Sequence, residues 1–216
     1  MKSAKLFYIL GAMRDGSLPK CGSKKEVSLA SDVEKSWLEM IARMASEEFS
    51  IPYSRFKVYE VWDVKSKQPC FRLKIYSKQV YELLSKYYEP GDQLSWNTPN
   101  AVRRASTNAQ LEYVAGFFDA EGGCRRVDRF QSNITRTMNC WLSIFCRHAG
   151  ANEPLWFIRK VLMKVGVVSH IYDNDELVVT GKRNVARFYE RVPSRHPKRE
   201  RLKKLLSFYG ALPANA

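Results

Sequence analysis

Apolar residues recur along the chain at two spacings, one helical and one strand-like, and the order of these patterns occurs twice. In the first half, the patterns predict a helix over 5–15, a strand over 27–30, an amphipathic helix over 31–49, a hairpin of strands 56–62 and 70–76, and a helix over 77–88. In the second half, they predict a helix over 109–120, strands over 125–130 and 138–146, a helix over 154–165, strands over 167–172 and 176–180, and helices over 184–191 and 197–209. The repeated order predicts an α+β protein made of two related units.

A stretch rich in Pro, Asn and Ser separates the two predicted units. It includes Pro90, Gly91, Pro99 and Asn100, residue types that favour turns and loops. We therefore expect an N-terminal unit over 1–89, a linker over 90–108, and a C-terminal unit over 109–216 that ends in a basic helix.

Each unit begins with an apolar helix that contains one glycine and ends in an acidic residue followed by glycine. A glycine inside a helix costs about 1 kcal/mol relative to alanine, so Gly11 and Gly116 call for a packing reason. Without side chains there, the two helices could approach backbone to backbone and bring Asp15 close to Glu121. Two adjacent carboxylates repel each other, and a divalent cation would remove that repulsion. The pair is therefore a candidate site for metal-assisted phosphodiester hydrolysis.

The charge balance favours a polyanionic partner. The chain has 36 Lys and Arg residues against 22 Asp and Glu, a net charge of +14. No apolar run approaches the roughly 20 residues that cross a bilayer, and the N-terminus lacks the features of a signal peptide. We therefore expect an intracellular protein, in the cytoplasm, the nucleoid or an organelle, with no membrane partner.

Other chemistries find little support in the sequence. The five cysteines form no CxxC pair, so reduced thiols are expected rather than a zinc site. Neither a Gly-rich phosphate loop nor a Ser-His-Asp arrangement is present, so nucleotide hydrolysis and acyl transfer are not expected.

The segment Tyr113–Gly122 resembles the LAGLIDADG motif, and Tyr8–Gly16 resembles a second copy that is one residue shorter. The whole chain resembles the single-chain, two-motif branch of the LAGLIDADG homing endonucleases. This resemblance implies two pseudo-symmetric αββαββα units whose antiparallel sheets form a DNA-binding saddle. It also implies an intron-encoded, monomeric enzyme that makes double-strand breaks in DNA across the minor groove with Mg²⁺ or Mn²⁺.

The resemblance also assigns roles to residues. Asp15 and Glu121 would bind the metal and direct catalysis, whereas Asp119 would be structural and Gly11 and Gly116 would pack the helices. A lysine between the last strand of each unit and the next helix would assist catalysis. Those lysines are Lys78 and Lys182, with Arg183 as an alternative to the second. The family's strand-end glutamine has no match, since Ser31 and His148 lie in the corresponding regions.

Basic and polar residues on the predicted strands form the expected DNA-reading surface, because a β-ribbon fits the major groove. They are Lys57, Lys65, Lys67, Arg72 and Lys74 in the first unit, and Arg125, Arg126, Arg129, Gln131, Asn133, Arg136 and Arg147 in the second. The basic segment 182–204 is a candidate backbone clamp.

Two alternatives to a nuclease stay open at this point. One is a non-cleaving nucleic-acid binder on the same fold, such as an intron RNA maturase or a transcription regulator. The other is a generic α+β RNA-binding protein, which would explain the charge but not the paired glycine-acid helix ends.

Overall fold

Helices and two antiparallel sheets make up the part of the chain that the structure, a computed structural model, describes: residues 3–20, 25–62, 69–91, 93–125 and 140–213. The helices are α1 (Ala4–Ala12), α2 (Lys35–Phe49), α3 (Lys78–Leu84), α4 (Asn100–Arg103), α5 (Thr107–Glu121), α6 (Glu153–Lys164), α7 (Lys182–Arg191) and α8 (Lys198–Phe208). The strands are β1 (Glu26–Asp32), β2 (Phe56–Val61), β3 (Cys70–Tyr76), β4 (Gly122–Cys124), β5 (Trp141–Phe145), β6 (His170–Tyr172) and β7 (Glu176–Thr180). The sheet orders are β1-β3-β2 and β4-β5-β7-β6.

Serine side chains fix the start of three helices. Ser3, Ser77 and Ser106 each accept a hydrogen bond from the backbone N–H three residues further on, at the beginnings of α1, α3 and α5. Such caps satisfy donors that have no partner within the helix and contribute about 1 kcal/mol each.

Most element types follow the sequence-based prediction, and the bounds of β3 and β7 coincide with it. The predicted start of α2 at Ser31-Asp32 was wrong, because β1 continues to Asp32 and α2 begins at Lys35. The strand predicted to begin at Arg125 was wrong there, because β4 covers Gly122–Cys124, directly after α5, and Arg125 lies outside it. The rest of that predicted strand lies outside the described residues. The short helix α4 falls within the range 90–108, where the sequence predicts a linker.

Helices α1 and α5 pack backbone to backbone at the centre of the molecule. A Cβ atom at Gly11 would lie 2.1 Å from the carbonyl oxygen of Tyr113, and one at Gly116 would lie 2.0 Å from that of Tyr8. Every residue of α1 from Leu6 to Ala12 is buried, as expected of a helix that is apolar on all sides. The crossing of the two glycines therefore fixes the position of both helix ends.

Each sheet buries one face and exposes much of the other, although Ser28 and Ser143 on the outer faces are buried. In the first sheet, Val27, Leu73 and Ile75 are buried, whereas Lys57 and Arg72 on the opposite face are exposed. The second sheet buries Leu142, Ile144, Leu177 and Val179 in the same way. Within the described ranges, no helix combines the length and apolar character needed to cross a membrane.

Candidate active site and nucleic-acid interface

Asp15 and Glu121 lie at the C-terminal ends of the two central helices. α5 stays α-helical to Glu121, whereas α1 ends at Ala12 and continues as a 3₁₀ turn over Met13–Asp15. A 3₁₀ turn rises about 2.0 Å per residue and an α-helix about 1.5 Å, so each acid lies about 7.5 Å along the axis beyond its packing glycine. The extended turn thus compensates for the residue that the first motif lacks.

The glycines that follow the two acids are packed as tightly as the central ones. A Cβ atom at Gly16 would lie 2.4 Å from the carbonyl oxygen of Ser28 on β1. A Cβ atom at Gly122 would lie 2.2 Å from the ring of Phe118. The contact at Gly16 holds the end of α1 against β1, whereas the contact at Gly122 lies within the last turn of α5.

Burial raises the pKa of both carboxyl groups, and repulsion from neighbouring acids adds to the increase at Asp15. Burial raises the pKa of Asp15 to about 8, and the negative charges of Glu121 and Asp32 contribute to the increase. Burial also raises the pKa of Glu121. Among the described residues, no hydrogen-bond donor stabilises either carboxylate. The fold therefore holds two acids close together in an environment that disfavours their negative charge.

This pair fits a hard divalent cation. Mg²⁺ is commonly held by one or two carboxylates, with phosphate oxygens and water as the other ligands. Within the part of the chain that the structure describes, no group of three or more His, Cys, Asp or Glu side chains is arranged for a metal. Asp15 and Glu121 are the residues that would hold the cation, and their repulsion is what it would relieve.

Lys198 lies beside both acids, a position that sequence reasoning missed. Its Nζ donates hydrogen bonds to the carbonyl oxygens of Asp119 at 2.8 Å and Ala120 at 3.2 Å, at the C-terminal end of α5. Its charge lowers the pKa of both Asp15 and Glu121, while burial lowers its own pKa. The sequence offered little signal, because Lys198 is one of many basic residues in the segment 182–204.

Arg14 is a buried cation on the Glu121 side. Its guanidinium donates to the carbonyl oxygen of Trp96 at 2.9 Å and to the Sγ of Cys146 at 3.1 Å. Its charge lowers the pKa of Glu121. A cavity of about 560 Å³ opens here, with Arg14, Glu121, Phe145 and Arg147 among its lining residues.

Asp119 occupies in the second motif the place of Arg14 in the first, three residues after the packing glycine. Its buried carboxylate accepts hydrogen bonds from the hydroxyl groups of Tyr8 and Ser194 and from the backbone N–H groups of Arg195, at 2.7 Å, and His196, at 3.2 Å. Burial raises its pKa despite these bonds. Asp119 therefore holds the loop between α7 and α8 against α5. Lys198 is the first residue of α8, directly after this loop.

Asp32, at the end of β1, is a further acid that sequence reasoning did not assign to the site. Burial opposes its ionisation, but His196, the N–H of Glu34 and the charge of Lys198 together lower its pKa. The Nε2 of His196 lies 3.2 Å from its Oδ1, and the Nδ1 of His196 accepts a hydrogen bond from the N–H of Lys198. Asp32 lies near the place where the family's strand-end glutamine was sought, next to Ser31.

The structure places Lys78 and Lys182 away from these acids. Lys78 follows Tyr76, which pairs with Glu26 at the opposite end of β1 from Asp32, about 20 Å along the strand. Its side chain is 77% exposed and pairs with Glu82. Lys182 is exposed at the start of α7, beyond the end of β7. Neither lysine is among the charges that shift the pKa of Asp15 or Glu121.

The predicted DNA-reading residues divide into those that the structure describes and those that it does not. Lys57, Arg72 and Lys74 lie on the outer face of the first sheet, where Lys74 also pairs with Glu26 at 2.6 Å. Arg125 follows β4 and Arg147 follows β5. The predictions that lie outside the described residues are Lys65, Lys67, Arg126, Arg129, Gln131, Asn133 and Arg136.

Comparison with known proteins identifies the family. The family model described as LAGLIDADG-like domain matches residues 108–193. The homing endonuclease I-ApeI of Aeropyrum pernix is 30% identical over 213 residues, which cover 93% of this chain and 86% of the relative. This chain belongs to the LAGLIDADG homing endonuclease family.

Solved structures confirm the fold. The homing endonuclease I-WcaI, bound to its DNA recognition sequence, matches with a TM-score of 0.59 and 19% identity over 94% of this chain and 87% of that one. The N-terminal LAGLIDADG domain of DUF199/WhiA matches with a TM-score of 0.58 and 12% identity over 94% of this chain and 88% of that one. The family resemblance and the α+β fold predicted from the sequence are therefore confirmed.

Proposed function

We propose that this protein is a homing endonuclease that makes metal-dependent double-strand breaks in a long DNA target. One observation supports this function above all: Asp15 and Glu121 lie at adjoining ends of two helices locked together at Gly11 and Gly116. The fold alone does not determine the activity, whereas this pair of acids can hold a catalytic metal ion.

The electrostatics of the pair suit metal-assisted hydrolysis. A bound Mg²⁺ or Mn²⁺ would activate water and stabilise the negative charge that develops on the phosphate. Asp15 and Glu121 would hold the ion, and their raised pKa values indicate that the apo site favours an additional positive charge. Lys198, beside both acids, and Arg14, beside Glu121, supply that charge in part.

The surroundings of the pair suit double-stranded DNA. The outer face of the first sheet carries Lys57, Arg72 and Lys74, and Arg72 is close enough to lower the pKa of Asp15. Basic strands in a groove provide both base contacts and phosphate contacts. One chain supplies both acids, so we propose that the protein acts as a monomer. From the family resemblance, we also propose that it is encoded within an intron.

Cleavage of a plasmid library with randomised sites tests this function. We expect discrete double-strand cuts with Mg²⁺ or Mn²⁺ and none with EDTA, and the cut sites define the target. Binding should weaken steeply with salt, since each neutralised phosphate contributes about 0.9 to the slope of log K against log salt. Tight, salt-sensitive binding without cleavage in any metal would instead favour a maturase or a transcription regulator.

A further inference from the structure

The outer face of the second sheet differs in chemistry from that of the first. The described strands β4, β5, β6 and β7 contain no Lys or Arg, whereas the first sheet contributes Lys57, Arg72 and Lys74. The two sheets thus flank the same pair of acids with different side chains, although the chain as a whole has a net charge of +14.

The strand register places aromatic side chains on this outer face. Phe145 pairs with Glu176, and Glu176 pairs in turn with Tyr172, so the three form a row across β5, β7 and β6. Residues directly opposite in an antiparallel pair share a face of the sheet. The buried Ile144 and Leu177 and the partly buried Ile171 lie on the other face. The row is therefore a feature of the outer surface.

Both rings of this row are exposed to solvent. Phe145 is 48% exposed and Tyr172 is 52% exposed. Exposed apolar groups that cluster on one face mark a binding surface. Phe145 also lines the cavity that contains Glu121, so the row directly adjoins the candidate active site.

The next row across the sheet contains Gly123, Ser143, Val178 and the exposed His170, and Ser143 in this row is buried. Ser143 pairs with Val178, and a Cβ atom at Gly123, which pairs with Ser143, would meet no atom within 4 Å. Trp141 and Thr180 form the last row. The distance from Phe145 to Trp141 along β5 is about 13 Å, or roughly four base pairs of DNA.

Arginines flank this face at both ends of β5. The backbone N–H of Arg125 bonds to the carbonyl oxygen of Trp141, and Arg147 is two residues beyond Phe145. This arrangement matches the division of labour in DNA recognition, in which phosphate contacts position the protein and base contacts specify the sequence.

Thymine is the base whose major-groove edge suits such a face. Its C5-methyl group is the apolar feature that side chains contact in that groove, and the paired adenine offers an amino donor beside it. Phe145 and Tyr172 can cover methyl groups, and Glu176 between them can accept a hydrogen bond from an amino group. Guanine, which needs bidentate donors such as Arg or Lys, finds none on these strands.

We propose that the outer face of the β4–β7 sheet reads its half of the DNA target through thymine methyl groups, with Phe145 and Tyr172 as the contacting residues. This inference rests on the proposed function, because it takes the sheet to lie in the major groove. The β1–β3 sheet reads the other half through hydrogen bonds from Lys57, Arg72 and Lys74.

Replacing thymine by deoxyuridine tests the proposal, because it removes only the methyl group. On the target found in the plasmid library, each contacted methyl removed in the second half-site should weaken binding in EDTA by about fourfold. The same replacement in the first half-site should have a smaller effect, and there 7-deazaguanine, which lacks the N7 acceptor, should weaken binding instead. Lys57→Ala shows which half-site faces which sheet, because it should relax the sequence preference only in the half-site that contacts the first sheet.

Alanine variants test whether Phe145 and Tyr172 cause the loss of affinity for the deoxyuridine targets. Phe145→Ala and Tyr172→Ala should each bind the thymine and deoxyuridine targets equally at the position that the lost ring contacted. Trp156→Ala is the control, because Trp156 is similarly exposed, at 45%, but lies on α6 outside the sheet. Trp156→Ala should still bind the deoxyuridine target about fourfold more weakly than the thymine target, as wild type does.

Three results would overturn the proposal. The second half-site could lack thymine near the cut, or deoxyuridine could weaken binding equally in both half-sites. The third is that deoxyuridine weakens the binding of both Phe145→Ala and Tyr172→Ala as much as that of wild type. The failure of the proposed function is a separate outcome. In that case no site would be cut with any metal, whereas here specific cleavage would persist.

Discussion

Substitution of Gly116 by alanine should force the two central helices apart. The added Cβ atom would lie 2.0 Å from the carbonyl oxygen of Tyr8 and 2.9 Å from the backbone nitrogen of Ala12. An ordinary carbon–oxygen contact is about 3.3 Å, so the helices must separate by roughly 1 Å. The obstacle is backbone, which cannot rotate away as a side chain can.

The expected loss of stability follows from two opposing effects. Alanine is better than glycine in a helix by about 1 kcal/mol, which favours the variant. Overpacking of a core costs about 1–3 kcal/mol, and a rigid backbone obstacle places this case at the upper end. We therefore expect Gly116→Ala to lower the free energy of unfolding by about 2 kcal/mol, net of the gain in helix propensity.

Urea unfolding of wild type, Gly116→Ala and Gly123→Ala measures this effect. Gly123 is the matched control, because an added Cβ atom there meets nothing within 4 Å, and its stability should change by less than about 0.5 kcal/mol. The cleavage rate of Gly116→Ala should fall as well, because separated helices move Asp15 away from Glu121. A Gly116→Ala variant as stable as wild type would refute the backbone-contact argument.

Three further predictions concern the charged groups. The folded metal-free protein keeps a proton on Asp15 up to about pH 8, whereas the unfolded chain releases it near 3.8, so stability should fall as pH rises through this range. In urea unfolding, the stability of Asp15→Asn should fall less with rising pH than the stability of wild type. At pH 8 the variant should be more stable than wild type. Lys198→Met should slow cleavage about a hundredfold in single-turnover assays, against little change for the exposed Lys204→Met. Asp119→Asn should destabilise the protein by about 2–3 kcal/mol in thermal unfolding. The amino group of the asparagine side chain would face the N–H and O–H donors that now bond to the carboxylate. Glu112→Gln, which loses only a pairing with Arg195, should lower stability by about 1 kcal/mol or less.

The sequence predicted the parts of this fold that depend on local pattern. Alternation of apolar and polar residues located β3 to the residue, and the turn at Asp173-Asn174-Asp175 before an apolar run did the same for β7. The glycine in each apolar helix predicted the close approach that the structure shows between Gly11 and Gly116. These features follow from local spacing and from the absence of a side chain, and both can be read from a single chain.

The features that sequence reasoning missed depend on contacts between distant segments. Lys198 reaches the acids through a loop that Asp119 fastens, and Asp32 joins them from the end of β1. No local pattern distinguishes Lys198 from its basic neighbours. The 3₁₀ turn that carries Asp15 is also a tertiary effect, because Gly16 packs against the backbone of β1.

The catalytic roles of Lys78 and Lys182 stay predictions. The strand register separates both lysines from the acids, whereas Lys198 contacts the end of α5. Comparison of the single-turnover rates of Lys78→Met, Lys182→Met and Lys198→Met decides which lysine serves the reaction. The largest loss is expected for Lys198→Met.

The most direct test of the central claim is cleavage of the identified target by wild type, Asp15→Asn and Glu121→Gln, with Mg²⁺ and with EDTA. Glu82→Gln serves as the control, since Glu82 is an exposed acid on α3. We predict that all four proteins bind the target with similar affinity, and that only wild type and Glu82→Gln cut both strands, only with Mg²⁺. Cleavage by Asp15→Asn or Glu121→Gln within tenfold of the wild-type rate, or cleavage in EDTA, would contradict the account.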